Sequence, residues 1–254
     1  MKITIITVCF NSEKTIRDTI ESVVAQKYFD IEYIVVDGGS TDRTLAIVGE
    51  YSDCVSKVIS EPDEGIYDAM NKGVSVSKGD IIGILNSDDF YPHSQVITEV
   101  VETFVSNSGV DIVLGGVDFV DGKQTEIVKR TYKSLFFKAW QMRFGMMPPH
   151  PGAFVKREVY EEVGLYKLGY TIAADFDFFV RALLVKKMSF YCSNSFWVRM
   201  RVGGVSTSGF NSYVISTKEM LRSFRENGLY TNSFFILTRL PIKFFRKIKL
   251  CIKQ

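Results

Sequence analysis

The sequence predicts an α/β fold built on a mostly parallel sheet, and three observations predict it. Short apolar, largely β-branched runs recur at residues 2–8, 33–36 and 81–85, and the last of them lacks any polar alternation, as a strand buried on both faces would. Segments of helical period lie between them: Ile16, Ile20, Val23 and Val24 fall at i, i+4, i+7 and i+8, one face of a helix packed on a sheet. The runs at 33–36 and 81–85 end abruptly in polar clusters, Asp37-Gly38-Gly39-Ser40-Thr41-Asp42 and Asn86-Ser87-Asp88-Asp89. Strand, helix, strand, helix in this order winds a parallel sheet. The ligand crevice of such a sheet lies outside the carboxyl ends of its strands.

At 254 residues the chain can bury one continuous core. Hydrophobic residues make up 46% and charged residues 24%, so composition points to a globular protein. Net charge is +2, but residues 239–254 hold six basic groups and no acid, which leaves residues 1–238 with 25 basic against 29 acidic groups, net −4. That distribution gives no reason to expect nucleic acid as a partner. Cys9, Cys54, Cys192 and Cys251 lie far apart without a CxxC, so neither a zinc ribbon nor a dithiol motif is expected, and a reduced, cytoplasmic setting is. Residues 3–10 are too short and too interrupted by threonine for a signal peptide. No run approaches the ~18 apolar residues of a spanning helix.

Taken in order, residues 2–8 form the first strand and Asn11-Ser12 supply helix-capping side chains for the helix that follows. Residues 33–36 form the second strand, 44–51 a helix, 55–60 a third strand and 66–76 a helix that turns Tyr67, Ala69, Met70 and Val74 inward. Lys78-Gly79 closes that helix before the strand at 81–85. Asp88 and Asp89 stand side by side just past this strand, an unfavourable pairing unless a cation or hydrogen-bond donors compensate. A hard divalent ion held jointly with phosphate oxygens would compensate well; a solvated acidic turn is the rival reading. Asp37 before two glycines reads as a turn former or as an acceptor for a base N–H or ribose hydroxyl, with glycines that let backbone approach a ligand.

A helix is expected over 91–105, a strand over 111–114 and a hairpin from 117–120 and 126–130. Residues 133–147 are too apolar for a solvated loop and read as core packing or a mobile flap, with a direct acceptor surface as the alternative. A strand follows at 153–155, and from Ala173 a helix opens with Asp175 and Asp177 in its first turn, where acids suit the helix dipole. Residues 196–202 read as a strand with Arg199 and Arg201, and 211–227 as a helix ending at Gly228. In the tail, Phe244, Phe245, Ile248, Cys251 and Ile252 share one helical face and the cations the other. That is the pattern of a helix lying on anionic lipid, with packing on the acidic body as the alternative.

Four ordered motifs, Thr7-Val8-Cys9-Phe10-Asn11, Val35-Val36-Asp37-Gly38-Gly39-Ser40-Thr41-Asp42, Glu61-Pro62-Asp63-Glu64-Gly65-Ile66-Tyr67-Asp68-Ala69-Met70-Asn71-Lys72-Gly73 and Leu85-Asn86-Ser87-Asp88-Asp89, closely resemble family 2 glycosyltransferases with the GT-A fold, of the bacterial surface-polysaccharide and O-antigen type. The resemblance implies a glycosyltransferase domain over 1–238, with a nucleotide-sugar half at 1–115, an acceptor half at 116–238 and a basic amphipathic tail at 239–254. Thr7, Val8, Phe10, Asn11 and Asp37 would then surround the nucleotide of a UDP-sugar, with Asn71, Asp88 and Arg201 also on the donor. Asp89 would ligate Mn2+ or Mg2+ on the diphosphate. Asp175 would be the catalytic base and Asp177 its neighbour, although Ala174 stands where relatives often carry Glu. Glu64, Lys72 and His150 are further candidates.

The expected reaction is inverting transfer of a hexose (galactose, glucose or N-acetylhexosamine) to a sugar hydroxyl of a lipid-linked oligosaccharide in surface-polysaccharide or lipopolysaccharide biosynthesis. The expected location is the cytoplasmic face of the inner membrane, with peripheral contact through the tail. A sugar-nucleotide nucleotidyltransferase would want a glycine-rich basic loop where Cys9-Phe10-Asn11-Ser12 stands, and a dinucleotide dehydrogenase lacks the same glycines. A non-catalytic UDP-sugar-binding protein would have little need of both Asp89 and Asp175.

Overall fold

The computed structural model describes residues 1–203 and 210–239. Among these described residues nine strands form one sheet, ordered β3-β2-β1-β4-β8-β6-β9-β5 with β7 paired to β6. The first four, β1 (Ile3–Cys9), β2 (Ile31–Asp37), β3 (Lys57–Ser60) and β4 (Ile81–Asn86), are parallel. β8 (Ala153–Lys156) runs antiparallel to both β4 and β6 (Ile112–Val120), and β9 (Phe190–Arg201) runs parallel to β6. With β5 (Asp89–Phe90) and β7 (Val128–Tyr132) antiparallel to their partners, six of the nine strands point the same way.

Alternation along each strand distributes side chains to two cores. Ile3, Ile5, Tyr33, Val35, Ile81 and Leu85 pack beneath α1 (Ile16–Val24), α2 (Thr44–Gly49) and α4 (Val96–Ser106). Ile6, Val8, Ile34, Val36, Ile82 and Ile84 pack against α3 (Ile66–Val76) and α6 (Ala174–Phe179). Both faces of the central strands are thus dry, which is why their sequences are unbroken apolar runs. α6 continues as a π-helical turn over Val180–Val185, and α7 (Phe210–Glu226) lies across it, followed by α8 (Ser233–Leu237).

Several expectations change. The helix expected from residue 91 starts at Val96, because Asp89 and Phe90 pair with Met200 and Arg199 of β9 instead of entering a helix. Residues 112–120 form a single strand: a side chain at Gly115 would collide with the Trp197 ring, and one at Gly116 would meet Phe196 at 2.6 Å, so the glycines pass aromatics from β9 without breaking β6. β9 itself begins six residues earlier than expected, at Phe190. α5 (Arg157–Val163) and α8 were not anticipated. Within 133–147, Phe137, Met142 and Met146 are buried while Leu135, Phe136 and Trp140 are exposed, with a 3-10 turn over Ala139–Phe144, so the core-packing reading holds for three of the segment's eight large apolar side chains. The division at residues 115 and 116 falls inside β6, and the sheet is continuous across it. The tail helix lies outside the described residues apart from Arg239, which is 2% exposed. Among the described residues no helix is long and apolar enough to cross a membrane.

Candidate active site

Register places the carboxyl ends of the parallel strands along one edge: Cys9 pairs with Asp37, Val8 with Asn86 and Asp37 with Ser60. The loops leaving this edge form the candidate site.

The turn after β1 and the loop after β2 are laced into one unit. Asn11 has φ of 48°, a left-handed conformation that asparagine tolerates. Its Oδ1 accepts from Thr41 N at 2.9 Å, and its own N–H donates to Ser40 Oγ at 2.8 Å. Ser12 N donates to Thr44 Oγ1 at 2.7 Å and Glu13 N to Asp42 Oδ2 at 3.1 Å. Phe10 projects from the turn, 60% exposed, while Val8 is buried beneath it. Asp37 is fully buried and accepts from the backbone of Gly39 and Ser40 and from the hydroxyls of Ser40 and Ser60. A side chain at Gly38 would strike the Asp63 carboxylate, which would have to swing away. Asp63 was not singled out in the sequence. Burial and the neighbouring Asp37, Asp42 and Asp63 push the Cys9 thiol far above its ordinary range, so Cys9 is an inert thiol here. The Thr7 side chain points to the other face, where its Oγ1 accepts from the Tyr33 hydroxyl at 3.0 Å.

Past β4, the backbone of the acid pair is held on several sides. Thr19 Oγ1 donates to Asp89 O at 2.7 Å, β9 pairs with Asp89, and Arg201 Nη1 donates to Asp88 O at 2.7 Å. Arg201 also forms an ion pair with Asp18, and its guanidinium lies over the Phe90 ring at 4.9 Å. Both arms of its fork therefore have protein partners. The Asp89 carboxylate is 1% exposed; Oδ2 accepts from Asn86 Nδ2 at 3.3 Å, and Oδ1 has no hydrogen-bond partner, nor does Asn86 Oδ1. Burial first, then the charge of Asp88, pushes the Asp89 carboxyl well above the carboxylate range. Asp88 is raised by burial against the opposing pull of Arg201. Buried oxygen acceptors without donors are what an oxygen-ligand cation would satisfy. Among the described residues no three His, Cys, Asp or Glu side chains cluster to hold a metal by themselves.

On the other core face, Asp175 sits in the first turn of α6, partly exposed. Its Oδ1 accepts from Phe176 N at 2.7 Å and lies 3.3 Å from the Tyr67 hydroxyl, and burial pushes its carboxyl up to about 6. Tyr67 belongs to the first turn of α3, which follows β3, so Asp175 is brought to the same edge of the sheet from which the β4 acids emerge. Asp177, two residues on, points elsewhere. It is fully buried and accepts from Arg181 Nε at 2.8 Å, Ser223 Oγ at 2.7 Å and Asn227 Nδ2 at 3.1 Å, with Lys167 at 3.4 Å. It fastens α6 to α7.

The remaining candidates are engaged in holding loops. The Asn71 amide makes a two-way bond with the backbone of Tyr166, at 2.8 and 2.9 Å. Lys72 pairs with Glu61 at 3.0 Å and Asp68 at 3.2 Å, clamping the 61–65 loop; Glu64 in that loop is exposed. His150 is 8% exposed, with Nε2 2.9 Å from the Tyr166 hydroxyl; burial lowers it to about 4, so it is neutral. Sequence reasoning missed Glu219, which is 9% exposed and accepts from three consecutive backbone N–H groups of residues 171–173. The available signal was the spacing Glu219, Ser223, Asn227, polar residues at i, i+4 and i+8 of one helix.

Residues 4–164 match the profile described as Glycosyl transferase family 2. An uncharacterized glycosyltransferase of Mycobacterium tuberculosis is 33% identical over 186 residues, 72% of this chain and 69% of the relative. The PGL/p-HBAD biosynthesis glycosyltransferase of Mycobacterium bovis is 27% identical over 168 residues, 64% of this chain and 62% of that protein. Among solved structures, S. aureus TarS 1–349 in complex with UDP-GlcNAc superposes with a TM-score of 0.69 at 19% identity, covering 88% of this chain and 66% of that one. A mannosyltransferase from Pyrobaculum calidifontis, in complex with GDP-Man and Mn2+, gives a TM-score of 0.63 at 18% identity over 89% of this chain and 63% of that one. The chain thus spans about two thirds of the length of these relatives.

Proposed function

Since the chain belongs to glycosyl transferase family 2 and is a glycosyltransferase with the GT-A fold, we propose that it moves a hexose from a UDP-sugar to a sugar hydroxyl with inversion, assisted by a divalent cation. The observation that carries this reading is the unpartnered, buried Oδ1 of Asp89 at the tip of β4, beside the likewise unpartnered Asn86 Oδ1. These atoms fit Mn2+ or Mg2+, and a diphosphate would complete an oxygen shell that the protein alone leaves short. Bound there, the cation would offset the charge that develops on the departing nucleotide.

The chain's own residues supply the rest. The pinned turn of residues 9–12 and the Asp37 loop make a pre-ordered wall for the nucleotide, with Phe10 available to the base. Asp88 lies beside the donor, and Arg201 reaches a diphosphate only by releasing Asp18, whose side chain is 55% exposed and so gives up little. Asp175 accepts the proton of the attacking hydroxyl. Both of its described hydrogen bonds fall on Oδ1, so Oδ2 is the oxygen that receives it. A carboxyl raised to about 6 is ionised near neutral pH yet basic enough to help, and such help is worth about 10²–10⁴-fold.

The acceptor we propose is a lipid-linked saccharide in cell-surface glycan assembly, reached at the cytoplasmic face of the inner membrane. The mycobacterial relative named for PGL/p-HBAD biosynthesis supports a surface glycolipid setting. The basic tail supports membrane contact. The test is nucleotide release from UDP-glucose, UDP-galactose, UDP-N-acetylhexosamines and GDP-mannose, with and without chelator. Turnover with a UDP-sugar that chelation abolishes is expected; turnover with GDP-mannose alone, or indifference to chelation, refutes the donor or the cation respectively.

A further inference from the structure

We propose that Glu219, on α7, is a positioning residue for the transfer step: its carboxylate holds the backbone of residues 171–173, which lead into α6, and thereby fixes where the Asp175 carboxylate stands. The proposal rests on the reading of Asp175 as base and adds the group that aims it.

The N-cap residue of α6 is Ala173, which offers no side-chain acceptor. Of the N–H groups that such a start leaves without a helical partner, that of Ala173 goes to a remote carboxylate, which also takes the two N–H groups before it in the lead-in to the helix. Thr171 N donates to Glu219 Oε1 at 2.6 Å, and Ile172 N and Ala173 N both donate to Oε2 at 2.9 Å. The same stretch is gripped from its opposite side, because the Tyr67 hydroxyl donates to the Ile172 carbonyl at 2.6 Å while lying 3.3 Å from Asp175 Oδ1. The Ile172 residue is thus held by its N–H from α7 and by its C=O from α3, two positions before the proposed base's own peptide.

The fastening continues one turn along, where Ser223 of α7 and Asn227 just past its end hold Asp177. With Glu219 these residues form one polar strip directed at α6 and its lead-in loop. Charge matters as well as shape. The groups that face Asp175 are Tyr67 from α3, Tyr166 from the loop after α5 and Glu219 from α7, and only Glu219 brings a full negative charge, which favours the protonated base. The charge of Glu219 is answered by the three amides and by Arg222, three residues on along α7.

The experiment compares Glu219→Gln, Glu219→Asp and Asp175→Asn in the full chain, by steady-state kinetics with the active UDP-sugar, pH profiles and amide hydrogen exchange over residues 171–176. Gln preserves volume but turns an amino group onto at least one backbone N–H; Asp keeps the charge but falls a methylene short. For Glu219→Gln we expect faster exchange at residues 171–173, donor KM within about twofold, and kcat lower by about ten- to a hundredfold, the scale of a misplaced catalytic group. Its acidic limb should move to lower pH, because a neighbouring negative charge is gone; a purely structural role would lower kcat without moving the limb. For Glu219→Asp the limb should stay while kcat falls. Unchanged exchange or wild-type kcat in Glu219→Gln, with Asp175→Asn inactive, overturns this proposal and leaves the base assignment standing. Near-normal turnover in Asp175→Asn overturns the base assignment, and this proposal with it, even where exchange shows the clamp.

Discussion

Replacing Asp177 with Ala should unfold the protein far more readily than replacing Asp175, though the two lie in the same turn of the same helix. The Asp177 carboxylate is fully buried, and its removal strands specific donors. Arg181 Nε loses its carboxylate at 2.8 Å, a charge-assisted bond worth about 1.5–3 kcal/mol. Ser223, itself fully buried, loses an acceptor at 2.7 Å, and Asn227 loses one at 3.1 Å, each worth about 1 kcal/mol. Lys167, at 3.4 Å with a side chain 35% exposed, regains water and adds almost nothing. Arg181 keeps the carbonyls of Val163, Gly164 and Leu165, which limits the damage. The sum is about 3–5 kcal/mol, the cost usually seen when one partner of a buried ion pair is removed. Urea unfolding followed by circular dichroism measures it as a lower midpoint at unchanged slope. A loss below about 1 kcal/mol would refute the view that Asp177 is the tie between α6 and α7.

Asp89→Asn should abolish cation-dependent nucleotide release while leaving the unfolding temperature within a few degrees, since Asn keeps an oxygen for the Asn86 amide and the Arg201 backbone that act on that carboxylate; retained turnover would remove Asp89 from cation binding. Turnover should show an acidic limb with an apparent value about 6, from the burial-raised Asp175, falling tenfold per pH unit below it; a limb near 4 would exclude Asp175 as the group observed. The same shift predicts a stability effect. The folded protein keeps this proton up to about pH 6 and the unfolded chain releases it near the ordinary 3.8, so stability declines between those pH values. Asp175→Asn should accordingly gain up to about 3 kcal/mol at pH 8 and nothing at pH 3. Removing residues 240–254, which carry five cations and no acid, should shift the protein from the membrane to the soluble fraction; unchanged partitioning would favour packing of the tail on the body.

The parallel N-terminal part of the sheet was legible because its elements are specified locally. Unbroken runs such as Ile81 to Leu85 fix buried strands, and Asp37 with two glycines fixes a tight exit from the sheet. The remainder depends on contacts distant in sequence. Asp89 and Phe90 become a strand only because Met200 and Arg199 arrive beside them. Gly115-Gly116 reads as a break until Trp197 and Phe196 fill the space over it. Within the site, the composition of the acid pair pointed to charge chemistry, but nothing in it reveals that Arg201 is already engaged by Asp18 and Phe90. Asp175 and Asp177 are indistinguishable as letters two apart; the helix sends one toward the sheet edge and the other into a ring of α7 donors. His150 became an interior residue through Tyr166, sixteen positions away.

The backbone of Asp88 and Asp89 is fastened by Thr19, by Arg201 and by β9, which leaves only side-chain torsions free where the two carboxylates emerge. Immobilising a residue's main chain costs about 1–2 kcal/mol. For this pair that loss of freedom is incurred when the chain first folds, so on the proposed reading an ion and donor would bind and leave without the β4 tip having to reorder.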